Sequence, residues 1–117
     1  MAMRETDYDG AVPVDGYGPG FFRVAGVIER GPVIVTAAGA RPWGGLDDLA
    51  ALIALAGQVD VLFLGLGAEI AHPPASLVTA LEDAGLMVEA MATPTAARSY
   101  NVTLSEGRRV ACALIPV

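Results

Sequence analysis

Apolar residues fall along this chain as short continuous runs and as helically spaced stripes, and the alternation of the two sets the predicted elements. Phe21 to Ile28 and Val33 to Thr36 are apolar-rich runs joined by Glu29, Arg30, Gly31 and Pro32, which predicts an N-terminal β-hairpin. Ala38 to Gly45 carries Gly39, Pro42, Gly44 and Gly45 around Trp43 and reads as a loop. Leu46, Leu49, Leu52, Ile53 and Ala56 then recur at helical spacing, with Asp47 and Asp48 at the end where negative charge suits the dipole and Gly57 as the stop. Asp60 to Leu64 reads as a strand and Gly65 to Pro74 as a loop. Leu77, Ala80, Leu81 and Ala84 mark a second helix closed by Gly85. Leu86 to Ala90 is a short strand. Thr93 as N-cap and Pro94 in the first turn open a third helix, predicted to run to about Glu106 before Gly107. Arg109 to Ile115, apolar on both alternating faces, has the pattern of an interior strand.

Helices alternating with strands predict an α/β domain with a mixed, mostly parallel sheet, an N-terminal hairpin and three helices. The length of 117 residues suits a single domain over 1–117, and no internal repeat or boundary interrupts it. Met1 to about Pro19 shows little periodicity and is read as partly mobile or lying along a sheet edge. Leu49 to Ala68 carries one charge, Asp60, over a length that would cross a bilayer, but Gly57 to Asp60 divides it into a buried helix and a buried strand.

Composition narrows the function classes. With 54% hydrophobic and 17% charged residues the chain has ample apolar surface to fold. Its net charge of −6 opposes a phosphate backbone, which argues against nucleic acid. All seven basic residues are arginine, a habit of GC-rich bacterial coding. The acidic start, broken by Gly10 and Pro13, lacks the basic head and apolar run of a signal peptide, so a cytoplasmic protein is expected. One cysteine, Cys112, sits in an apolar run as a small core residue. One histidine, His72, has no carboxylate or second histidine at ligand spacing, so neither a metal nor another cofactor is expected.

The segment Thr93-Pro94-Thr95-Ala96-Ala97-Arg98-Ser99-Tyr100-Asn101, then Ser105-Glu106-Gly107-Arg108 and Ala113-Leu114-Ile115-Pro116, resembles the end of a family of unknown function that includes the mitochondrial complex I (NADH dehydrogenase) assembly factor three. Gly16-Tyr17-Gly18-Pro19-Gly20-Phe21, Val33 to Val35 and Leu62-Phe63-Leu64-Gly65-Leu66-Gly67 extend the likeness. Thr103 departs from it where the family pattern has leucine, which puts the packing of the third helix there in question. The resemblance implies a three-layer α/β fold of the Mth type, no assigned catalysis, no cofactor, and for the mitochondrial member a role in building a membrane complex.

A sheet of this kind takes ligands beyond the carboxyl ends of its strands. The predicted order brings three loops there, and with them Trp43, Gly65, Gly67 and Thr93, with Arg98 reaching the same edge from the third helix. Arg98 is expected to be tied to carbonyls or a carboxylate at the helix start. Gly65-Leu66-Gly67 is not a dinucleotide fingerprint, since Ile70 stands where a small residue is needed. On the third helix Tyr100 and Asn101 face the sheet and are expected to fasten loop backbone. Glu106, Arg108 and Arg109 form a solvated or ion-paired helix exit. Ser76 and Ser99 lack an arranged base. The expected function is a non-enzymatic interaction or assembly domain with a protein partner, with a homodimer through a sheet edge and peripheral membrane contact left open. The alternative is a small-molecule, anion-binding protein or unassigned enzyme using the crevice.

Overall fold

The computed structural model describes residues 8–69 and 71–117. Its strands are β1 Val14–Gly18, β2 Phe21–Val24, β3 Val27–Arg30, β4 Val33–Thr36, β5 Gly39–Pro42, β6 Val61–Leu66, β7 Met87–Met91 and β8 Val110–Ile115. Its helices are α1 Leu49–Ile53, α2 Ala75–Asp83 and α3 Thr93–Ser105. Two sheets form, a three-stranded β1-β2-β3 and a five-stranded β5-β4-β8-β6-β7. The larger sheet is mixed: β6 runs parallel to β7 and β8, whereas β4 runs antiparallel to β8 and β5.

Three layers follow from side-chain alternation in the central strands. Ile34, Leu62, Leu64, Ala111 and Ala113 face Leu52, Leu55, Leu77 and Leu81 of the α1–α2 side. Val33, Val35, Val61, Phe63, Cys112 and Leu114 face Ala96, Ala97, Tyr100 and Leu104 of α3, with Val14, Phe22 and Val24 of the small sheet completing that cluster.

The predicted hairpin of Phe21 to Ile28 with Val33 to Thr36 is not the one that forms. The turn falls inside the first run, where Ala25 (φ 52°) and Gly26 (φ 77°) join β2 to β3 with Val24 opposite Val27. Positive φ at both central residues matches the strand twist but is unusual for alanine, which hides the turn from sequence. Glu29 and Arg30 instead finish β3, and Gly31 and Pro32 carry the chain from one sheet to the other. The predicted loop Ala38 to Gly45 contains β5, and its Pro42 is tolerated because β5 is an edge strand. The first helix is cut short by Asp48, whose carboxylate accepts from Gly44 N (2.9 Å) and Ala51 N (3.3 Å), separating a 3-10 turn, Gly45–Asp47, from α1. Of the segment expected to be mobile, 1–7 lies outside the described residues. Val14–Gly18 is a strand paired to β2. Among the described residues no helix is long and apolar enough to cross a membrane.

Candidate functional site

The carboxyl ends of β6 and β8 lie against the start of α3, and that junction is filled by protein. Gly65 leaves room for Thr93: a Cβ on Gly65 would meet Thr93 Oγ1 at 2.8 Å, Leu114 Cδ2 at 2.9 Å and the Thr93 Cα at 2.9 Å. The fully buried Thr93 hydroxyl donates to Ile115 O (2.6 Å) and accepts from Gly67 N (2.8 Å), while Thr93 N donates to Gly67 O (2.8 Å). Thr93 therefore does not cap α3. Ala92 holds that position without a side-chain bond, and Thr93 is free to tie the ends of β6 and β8 to the helix.

Trp43 reaches this end of the sheet by a route the sequence did not suggest. Because β4 is antiparallel to β8, residue 37 begins at the far end, and β5 returns so that Pro42 pairs with Val33, Val33 with Leu114, and Leu114 with Gly65. Trp43 then packs into the α1–α2 cluster, buried, with its Nε1 lacking a hydrogen-bond partner. Arg98 is exposed, and among the described residues no hydrogen bond or ion pair holds it, contrary to the expected tie at the helix start. Gly65, Gly67 and Thr93 thus meet, while Trp43 belongs to the cluster on the other face of the sheet and Arg98 faces solvent.

Lower on α3, Asn101 Oδ1 accepts from Val14 N (2.9 Å) and its Nδ2 donates to Val14 O (2.9 Å). Tyr100 OH donates to Val12 O (2.7 Å). These bonds join residues 87 and 88 positions apart and seat β1 on the helix. Burial pushes the Tyr100 phenol and the Cys112 thiol well above their ordinary ranges, so both stay protonated. Thr103, where the family pattern has leucine, is half-buried and donates back to Ser99 O (2.8 Å), satisfying itself within the helix.

At the helix exit Glu106 and Arg108 are exposed, and Arg109 pairs with Asp60 (3.0 Å). A groove of about 440 Å³ opens there, lined by Tyr8, Thr36, Ala38, Leu104, Arg108 and Val110 among others. It sits at the amino ends of β6 and β8, opposite the crevice predicted from sequence, because strand directions, which alternation does not encode, decide which loops share an end. His72 and Ser76 are exposed, and Ser99 Oγ contacts Met91 Sδ at 3.7 Å. Among the described residues no three metal-ligating side chains cluster.

The comparisons with known proteins agree with this architecture. The chain is 60% identical over 117 residues to an uncharacterized protein of Rhodobacter capsulatus, covering 100% of this chain and 94% of that one. It is 28% identical over 123 residues to NADH dehydrogenase (ubiquinone) 1 alpha subcomplex assembly factor 3 of Danio rerio, covering 99% of this chain and 71% of that protein. A solution structure of a Bordetella pertussis protein described as a Mth938-like domain superposes with a TM-score of 0.80 at 26% identity, covering 99% of this chain and 92% of that one. The family model described as protein of unknown function (DUF498/DUF598) matches residues 14–115, and the chain belongs to that family.

Proposed function

We propose that this protein is a single-domain, non-enzymatic interaction module that assists the assembly of a membrane complex, respiratory complex I foremost. The observation that carries the reading is the closed strand end. Where a sheet of this kind would receive a ligand, Thr93 occupies the space above Gly65 and takes the backbone groups of Gly67 and Ile115. Such a joint serves rigidity, and a rigid small domain acts through its surface. Similarity that spans 99% of this chain and 71% of a protein named as a complex I assembly factor supports the same direction and supplies the partner class.

The test is a strain of the encoding organism lacking this gene, its membranes resolved on native gels with in-gel NADH dehydrogenase staining. The reading expects loss of assembled complex I with accumulation of subassemblies, restored by the wild-type gene. Complex I assembling to wild-type level in the deletion strain would refute the role.

A further inference from the structure

The small sheet ends, among the described residues, in β3, a largely exposed edge strand. Among the described residues β3 pairs only with β2, so its outer edge has no partner. Val27 and Ile28 point to opposite faces, yet are 56% and 42% exposed. An uncovered strand edge can template pairing with another chain, and β3, although short and carrying Glu29 and Arg30, leaves its aliphatic pair uncovered. In the β2–β3 hairpin the two-residue turn makes Val24 and Val27 a hydrogen-bonded pair, so the backbone groups of Val27 and Glu29 point inward and those of Ile28 and Arg30 point to the free edge.

We propose that β3 is a self-association edge, where a second copy of this chain adds its own β3 antiparallel about a two-fold axis through Ile28. The free backbone groups require outward-pointing residues of the two copies to face each other, and the side chains choose among the registers that do so. Ile28 faces Ile28 of the copy as a hydrogen-bonded pair, stacking two aliphatic side chains on one face, and Val27 lies opposite Glu29 of the copy on the other. An axis at Glu29 would pair the same outward groups, Ile28 with Arg30 of the copy, but would set two carboxylates against each other.

Charge favours the same register. It sets Arg30 of each copy opposite Gly26 of the other, whose amide donates to the Asp15 carboxylate (3.1 Å). Each arginine is thereby brought to an acidic group across the junction, twice by symmetry. The two three-stranded sheets join edge to edge and leave the five-stranded sheets apart. A junction of one short strand pair falls below the size of a standard interface, so the dimer is concentration-dependent.

Sedimentation velocity of the full chain up to roughly 1 mM reads the association directly. Doubling of mass is expected. Ile28→Pro, which removes an outward N–H and spares the β2 ladder, should remain monomeric with an unchanged circular dichroism spectrum. Arg30→Asp should weaken the dimer about tenfold or more, and Asp15→Arg with Arg30→Asp should recover it. Should the proline variant not fold, cysteines decide. The register puts the two Ile28 Cα atoms ~5.5 Å apart, within disulfide reach, and the two Arg30 Cα atoms roughly 14–15 Å apart. Ile28→Cys should therefore oxidise to a covalent dimer and Arg30→Cys should not, with the buried Cys112 silent in both. A wild-type protein that stays monomeric, a dimer that persists in a folded Ile28→Pro, or equal cross-linking at the two positions would overturn the proposal.

Discussion

Replacing Thr93 with valine separates the account of the strand end from an ordinary hydrophobic core. Valine fills the same volume, so no cavity forms, and on apolar transfer alone a buried valine should match or exceed threonine. The structure gives the opposite sign. The hydroxyl serves two backbone groups, Gly67 N at 2.8 Å and Ile115 O at 2.6 Å, and Thr93→Val leaves both unpaired. Stranding a buried polar group costs about 1–3 kcal/mol. The Gly67 amide is enclosed, whereas the bond to Ile115 is only part-buried and its carbonyl recovers some hydration. The sum is then about 2–4 kcal/mol. Thr93→Ser keeps both bonds and loses one methyl, worth about 1 kcal/mol. Urea unfolding at 25 °C with m-values compared across the three proteins measures the order, which should be wild type, then serine, then valine. A valine variant at least as stable as the serine variant would refute the reasoning that the hydroxyl is the joint.

Asn101→Ala should lose about 1–3 kcal/mol, since both Val14 backbone groups lose their partners, whereas His72→Ala on an exposed loop should stay within about 0.5 kcal/mol in the same melts. Arg98→Ala should leave the melting temperature within roughly 1–2 °C of wild type, because nothing described is bound to the side chain. Cys112, fully buried with its thiol pushed up by desolvation, should resist a thiol reagent at pH 8 until denaturant is added, and rapid labelling of native protein would contradict its placement. The Arg109 hydrogen bond holds Asp60 below its ordinary value of 3.8, so its contribution is present above that value and fades as pH falls through the lowered one. Any stability difference between wild type and Asp60→Asn should therefore be small, shrink in salt, and disappear in acid. A difference that grew on acidification would have the wrong sign.

The legible parts of the fold were those where one local signal decides. Val61–Leu66 and Val110–Ile115 are apolar on both faces because both faces are covered, and α2 and α3 end at Gly85 and Gly107, whose φ values of 98° and 81° need glycine. The N-terminal half was misread because its turn signals compete. Gly31-Pro32 looks like the stronger hairpin turn, yet Ala25-Gly26 makes it, and the gain is a sheet pairing decided by distant contacts. Asn101 and Tyr100 were legible as sheet-facing from their spacing on α3, but their particular partners, Val14 and Val12, lie in a stretch with no periodicity of its own. Thr93 carried a true local pattern, a threonine before a first-turn proline, that tertiary packing redirected one position along. The crevice was drawn on three loops sharing an end, and the antiparallel direction of β4 brought one of them there only through β5.

The central claim is that this domain works by holding other proteins and not by holding a small molecule at its strand ends. Native mass spectrometry of the protein purified from its own cells in mild detergent tests it most directly. The account predicts the unliganded mass of the chain together with stoichiometric complexes containing subunits of a membrane respiratory complex. A stoichiometric small molecule retained by the wild-type chain, with no protein partner, would contradict it.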